Sequence, residues 1–201
     1  MYLCSEDELG RAILKRLLAD ILGEYEPLEI GARQGGIGHI AKRLSEFHQL
    51  ARYEYVFVLV DLDRCNCEVE LRQDMFSSAR ISEPINECFV FSIAKREAES
   101  WLLADVDGLA SYLRIDPRLI NRNAEDSVLD PKEYLLQISQ RSRNRPVKQA
   151  LLPESGSKSK VGLGYNRVLT NFVKEHWNHE AAAERNATLS RIRRKLVGIV
   201  E

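Results

Sequence analysis

The sequence has no apolar run long enough to cross a bilayer. Near its start it carries Glu6, Asp7 and Glu8, where a secretory leader is basic and then apolar. These absences predict a cytoplasmic protein with no membrane partner. Cysteine is scarce, and Cys4, Cys65, Cys67 and Cys88 form no disulfide framework, so they read as reduced thiols. Cys65 and Cys67 also lack the second cysteine pair or neighbouring histidine that a zinc site needs. There is no internal repeat and no low-complexity tract. The glycine-rich segment 34–38 lacks the terminal Gly-Lys-Ser/Thr of a Walker loop and does not match a dinucleotide fingerprint. It stays a candidate anion loop at the start of a helix, because glycines there let backbone amides approach a phosphate.

What is present is ordinary in bulk and uneven in distribution. The 201 residues are 44% hydrophobic and 29% charged, enough for one α/β domain and an appendage or for two small domains. The formal net charge of −1 hides a division. Residues 1–140 hold 16 basic against 25 acidic side chains, and residues 141–201 hold 13 against 5. An acidic half suits a metal ion and a basic half suits a polyanion, although the two halves can also simply attract each other.

The organising stretch is residues 55–64, where six apolar or aromatic residues without alternation run into Asp61-Leu62-Asp63-Arg64. An unbroken apolar run predicts a parallel strand buried on both faces. Before it, residues 1–4 predict a first strand. Leu9, Ile13, Leu17, Leu18, Ile21 and Leu22 then predict a helix over 7–23, with Ser5 as cap and Gly23 as stop. Residues 27–31 predict a weak second strand, and Ile40, Ala41, Leu44, Phe47 and Leu50 a second helix. Beyond the central strand come a short helix around Val69–Phe76, a strand over 88–94 and a helix over 95–105. The repeated β-α unit predicts an α/β fold with a mainly parallel four-stranded sheet and flanking helices over 1–105. Residues 106–201 predict a basic, α-helical C-terminal extension packed on that domain, with helices over 107–113, 117–121, 131–140, 166–177 and 188–200 and loops at Pro146, Pro153 and 156–164.

In such a sheet the carboxyl ends of the strands share one edge, where open α/β sheets bind ligands. Glu6 follows the first strand and Asp61 and Asp63 follow the third. Glu97, or alternatively Glu99, follows the fourth. Asp61 and Asp63 at period two can point the same way. Converging carboxylates repel one another unless a cation is present, which makes a Mg²⁺ or Mn²⁺ site the economical account and phosphoryl chemistry its use. The bland alternative is a solvated Asp-Leu-Asp turn, with the acids at 6–8 complementing a helix dipole. Arg143, Arg145, Lys158 and Lys160 are candidate phosphate contacts, Arg64 joins them, and Tyr165 is a candidate base-stacking residue. The basic cluster 191–195 reads as the solvated face of the last helix, and His176 and His179 as surface or core histidines.

An acid after the first strand and a hydrophobic strand ending in Asp-x-Asp, within four β-α units, resemble the Toprim domain of topoisomerases, primases and the overcoming-lysogenization-defect nucleases. Glu6-Asp-Glu-Leu9, Val60-Asp-Leu-Asp-Arg64, Arg96-Glu-Ala-Glu-Ser-Trp-Leu-Leu-Ala-Asp105 and Gly162-Leu-Gly-Tyr-Asn166 resemble, over nearly the whole chain, a family of uncharacterised bacterial Toprim-like proteins. Some of that family's members lie beside ATPases in what look like anti-phage defence cassettes. The resemblance implies that Glu6 is the Toprim glutamate, an acid/base or metal ligand, and that Asp61 and Asp63 are the metal-binding pair. The Toprim glutamate is usually followed by glycine, and here Asp7 follows, so Asp7 and Glu8 stay open beside the favoured Glu6.

Three functions follow. The first is a Mg²⁺-dependent nuclease acting on DNA or RNA. The second is a non-catalytic Toprim-fold subunit that docks to a partner ATPase. The third, a receiver-like phosphoacceptor, needs a lysine after a fifth strand that the sequence does not supply. A dehalogenase-type phosphatase also uses Asp-x-Asp, but after its first strand. A homo-oligomer is compatible with each.

Overall fold

The computed structural model describes residues 1–23, 26–31, 36–65 and 67–201. Of the predicted anion loop 34–38, residues 34 and 35 lie outside the described residues, and 36–38 open α2. The chain divides into two compact units, Met1–Arg96 with Arg191–Glu201, and Glu97–Ser190. The division falls nine residues earlier than the sequence boundary at 105, and the last eleven residues return to the first unit.

In the first unit the order is β1 (Tyr2–Ser5), α1 (Glu8–Leu22), β2 (Leu28–Glu29), α2 (Gly36–Leu50), β3 (Val56–Asp61), α3 (Glu68–Ser78) and β4 (Phe89–Ala94). The four strands form one all-parallel sheet in the order β2-β1-β3-β4. The unbroken apolar run at 56–60 therefore lies in an interior strand, buried at every position, as the sequence predicts. The two-residue β2 is the exposed edge, with Leu28 open to solvent.

Strand order fixes where the helices go. The step from β1 to β2 and the return from β2 past β1 to β3 run in opposite directions, so right-handed crossovers put α1 on one face and α2 and α3 on the other. The packing agrees. Ile40, Leu44 and Phe47 of α2 and Met75 and Phe76 of α3 share one cluster with Val56, Val58, Val60, Phe89, Phe91 and Ile93. No residue of α1 belongs to that cluster; α1 packs on β1 and β3, where Leu3, Phe57 and Leu59 point away from it. Phe76 meets Phe91 edge-on at 5.2 Å, which locks α3 to β4.

The cap of α1 differs from expectation. Ser5 is buried inside β1, and Asp7 takes the role by accepting the Gly10 N–H at 2.8 Å.

The second unit is helical, as the sequence predicts. It holds α4 (Glu99–Ala104), α5 (Val106–Leu113), a short 3-10 turn (Pro117–Leu119), α6 (Ala124–Ser127), α7 (Pro131–Ser139), α8 (Arg145–Leu151), α9 (Tyr165–Glu175), α10 (His179–Ala183) and the start of α11 (Ala187–Val200). Two buried tryptophans tie it together. Trp101 Nε1 donates to Thr188 Oγ1 at 2.7 Å, and Trp177 Nε1 donates to the Trp101 carbonyl at 3.4 Å. Asp105, also buried, accepts the N–H groups of Gly108 and Asn178 and so joins α5 to the start of α10. His179 is buried and His176 exposed, one each of the two placements expected.

Candidate functional site

The chain reverses direction across the sheet between β1 and β3, so their carboxyl ends frame the crevice in which open α/β sheets hold ligands. Ser5 pairs with Leu59. Glu6 therefore leaves the sheet level with Val60 and one residue short of Asp61. Its carboxylate closes the gap: Glu6 Oε1 accepts the Asp61 backbone N–H at 2.8 Å, and the Ile37 amide at the start of α2 also donates to it. The three adjacent acids thus part company. Asp7 caps α1, Glu8 is exposed in its first turn, and Glu6 alone reaches β3.

Glu6 is half-buried, and burial pushes its pKa above the ordinary carboxylate value. The nearby negative charges of Asp63 and Asp7 push the same way and, with burial, outweigh the Asp61 and Ile37 amides. This is the charge frustration that a divalent cation relieves.

Asp61 ends β3 half-buried. The strict period-two geometry does not continue to Asp63. Leu62 still bonds Ala94 O at 2.9 Å, but Asp63 turns into the left-handed region at φ 48°, with its N–H on Arg96 O at 2.7 Å. Aspartate tolerates that conformation better than most residues. The turn places Asp63 on the surface and near enough to Glu6 to act on its charge.

The donors here are all carboxylate oxygens, the set a hard cation such as Mg²⁺ or Mn²⁺ takes. Among the described residues, no three or more His, Cys, Asp or Glu side chains stand close enough together to hold a metal ion as placed. Glu6 Oε1 is engaged with the Asp61 backbone N–H. Cys65 is exposed and Cys67 half-buried, and they belong to no such group.

Glu97 lies in the second unit. It precedes α4 instead of opening the predicted helix, and both its oxygens are taken there: Oε2 by the Lys132 N–H at 3.0 Å and Oε1 by Lys132 Nζ at 3.4 Å. Glu99 is 2% exposed, accepts the Tyr165 hydroxyl at 2.9 Å, and pairs with Lys132 Nζ at 3.5 Å. Burial raises its pKa, with Lys132 opposing and Glu97 adding to the rise. The Glu-x-Glu segment before Trp101 and the Gly-Leu-Gly-Tyr segment at 162–165 therefore meet in one buried cluster. Sequence spacing gives no hint of Lys132 as its hub.

Tyr165 corrects one expectation. At 4% exposure, with its hydroxyl on Glu99, its ring is core and offers no face to a base. Arg143, Arg145, Lys158 and Lys160 are exposed, as phosphate contacts must be, and so is Arg64 in the first unit. The face of the last helix is less free than a solvated face implies: Arg191 pairs with Glu68 at 2.6 Å. Sequence reasoning passed over Gln149, Leu163 and Arg167, which line a groove beside α8. The glycine pair flanking Leu163 was the available signal, since such pairs mark close backbone approach. No protein-family model, no curated protein and no solved structure matches this chain.

Proposed function

We propose that the chain is a Toprim-like, Mg²⁺- or Mn²⁺-dependent nuclease that hydrolyses phosphodiester bonds of DNA or RNA, with Asp61, Asp63 and Glu6 as its acidic site. The observation that carries this reading is the 2.8 Å contact of Glu6 with the end of β3. It brings the acid after the first strand onto the Asp-x-Asp of the third, at the ligand-binding edge of a parallel sheet, as in the Toprim pattern that the sequence resembles. A bound cation supplies polarisation of a phosphate oxygen and a water of lowered pKa. Glu6, whose pKa burial and neighbouring acids raise above the ordinary carboxylate value, is the carboxyl best placed for proton transfer. Exposed basic side chains at 143, 145, 158 and 160 supply phosphate contacts, and Arg64 stands directly after the acidic pair. The resemblance to Toprim-like proteins beside ATPases makes a bacterial defence-type system the setting.

The test is cleavage of plasmid, single-stranded DNA and tRNA in Mg²⁺, Mn²⁺ or EDTA, alone and with a partner ATPase. The expected result is metal-dependent cleavage that Asp61→Ala abolishes while the fold persists. Cleavage that survives the substitution, or none under any condition, sinks the reading.

A second reading has its own support. Glu6 accepts two backbone amides and no three-ligand group is assembled among the described residues, as expected of a Toprim-fold subunit that has kept the geometry and works by docking to an ATPase. Complex formation with that ATPase, unchanged in Asp61→Ala and without cleavage, distinguishes it.

A further inference from the structure

Residues 141–167 of the second unit carry seven basic side chains and one acid, Glu154. Two adjoining grooves of about 570 and 460 Å³ run beside α8 and share Gln149, Leu152 and Glu154 as a common wall. Arg145 and Lys148 line the first and Arg167 the second. Lys148 Nζ donates to the Gln140 carbonyl, which holds that ammonium in place.

The wall of the second groove is a rigid turn. Gly162 N–H donates to Leu151 O at 2.8 Å and Gly164 N–H to Ala150 O at 3.1 Å, seating the turn on the end of α8. A Cβ on Gly162 would lie 2.2 Å from Ala150 O, and one on Gly164 2.7 Å from Ala150 Cβ, so only glycine permits the approach. The residue between them, Leu163, is consequently held outward at 98% exposure. A lone exposed leucine on a loose loop is unremarkable. Here the backbone beneath it is fixed and an arginine lies in the same groove.

We propose that these two adjoining grooves together bind single-stranded nucleic acid, with Arg145 of the first and Arg167 of the second on phosphates and Leu163 as an apolar wedge against an unstacked base. Apolar side chains flanked by cations serve this purpose elsewhere, and a free base offers its face without the cost of unstacking a duplex. The net positive charge selects a polyanion. The choice of nucleic acid among polyanions rests on the nuclease reading above, but the site is independent of the acidic edge and of any metal.

The test measures anisotropy of labelled oligothymidylate and of a labelled duplex with the full chain in EDTA, across a salt series. Wild type should prefer the single strand. Arg145→Ala with Arg167→Ala should weaken it roughly tenfold or more and reduce the slope of log K against log salt by about 1.4, the value for two lost single-strand phosphate contacts. Leu163→Ser should weaken the single strand about fivefold, leave the slope unchanged and leave duplex binding alone. All three side chains are solvent-facing, and matching thermal melts establish that the variants fold. Single-strand binding indifferent to either variant overturns the proposal. So does polyglutamate binding as tightly as the oligonucleotide, which assigns the groove to an acidic protein. Because binding is read without metal, failure of metal-dependent cleavage and failure of this groove are separate results.

Discussion

Glu6→Gln separates a carboxylate that staples the sheet from one held ready for a cation. Glutamine keeps an oxygen where Glu6 Oε1 accepts the Asp61 N–H, loses the charge and replaces the second acceptor oxygen with an amide donor. If the charge served solely to strengthen the bonds from Asp61 and Ile37, removing it would cost about 1 kcal/mol per bond, the difference between charged and neutral acceptors. That totals about 2 kcal/mol and, for a chain of this length, a fall in Tm of roughly 4–8 °C. The raised pKa of Glu6 says otherwise, because it is already the balance of those two amides against burial and the charges of Asp63 and Asp7. The ionised form is the one the fold disfavours, so in EDTA at neutral pH the variant should melt at or above the wild-type temperature. The pH dependence has the matching sign. The folded state keeps the Glu6 proton to higher pH than the unfolded chain does, so wild-type stability falls as pH rises from the ordinary carboxyl range through the folded pKa. That slope should flatten in Glu6→Gln. Mg²⁺ at tenfold excess over its Kd should then stabilise wild type by about 1.4 kcal/mol and the variant by less. A fall of several degrees in EDTA, with no differential response to Mg²⁺, would refute the reasoning and make Glu6 a staple.

Gly162→Ala pushes a methyl into the carbonyls of Ala150 and Leu152, and should cost about 1–3 kcal/mol, read as a lowered urea midpoint at unchanged m-value. Tyr165→Phe removes the hydroxyl that donates to buried Glu99 and should destabilise by about 1–3 kcal/mol. Its cost should grow as pH rises through the range in which Glu99 ionises; a loss independent of pH would mean that the hydroxyl does not serve the charge. Burial pushes the Cys4 thiol up to about 11, so iodoacetamide at neutral pH should label exposed Cys65 first and Cys4 only on unfolding.

The parallel sheet was legible because its cause is local. An interior strand covered on both faces has to be apolar at consecutive positions, and residues 55–60 are. The convergence of Glu6 with Asp61 was legible for a related reason: strand order in a β-α repeat has few solutions, and each leaves the strand exits on one edge. The preference for Glu6 among three adjacent acids came from the resemblance and not from the residues themselves, because which acid turns inward depends on Asp7 taking the cap that Ser5, drawn into β1, leaves free. Glu97 misled by proximity in sequence. It follows β4 within three residues, yet the left-handed turn at Arg96 starts a new compact unit, and Lys132 claims the carboxylate from 35 residues away. Tyr165 misled because an aromatic beside glycines and lysines has the same composition whether its ring faces a base or a buried glutamate.

These cases share a physical reason. A carboxylate or phenol has strong local chemistry but long-range partners, and sequence shows the first without the second. At Glu6 the two levels conflict within one residue: its hydrogen bonds favour the charged form, and its burial among acids disfavours it. A purely structural acid could relieve the conflict by pairing with a basic side chain, as Glu97 does with Lys132. Among the described residues, the charges that act on Glu6 are instead those of Asp63 and Asp7, at the edge where open α/β sheets bind ligands. A cation arriving there gains more from this half-buried cluster than from the same acids dispersed in water. The disfavoured charge on Glu6 is therefore the feature by which a cation site at this edge would differ from an ordinary Asp-Leu-Asp turn.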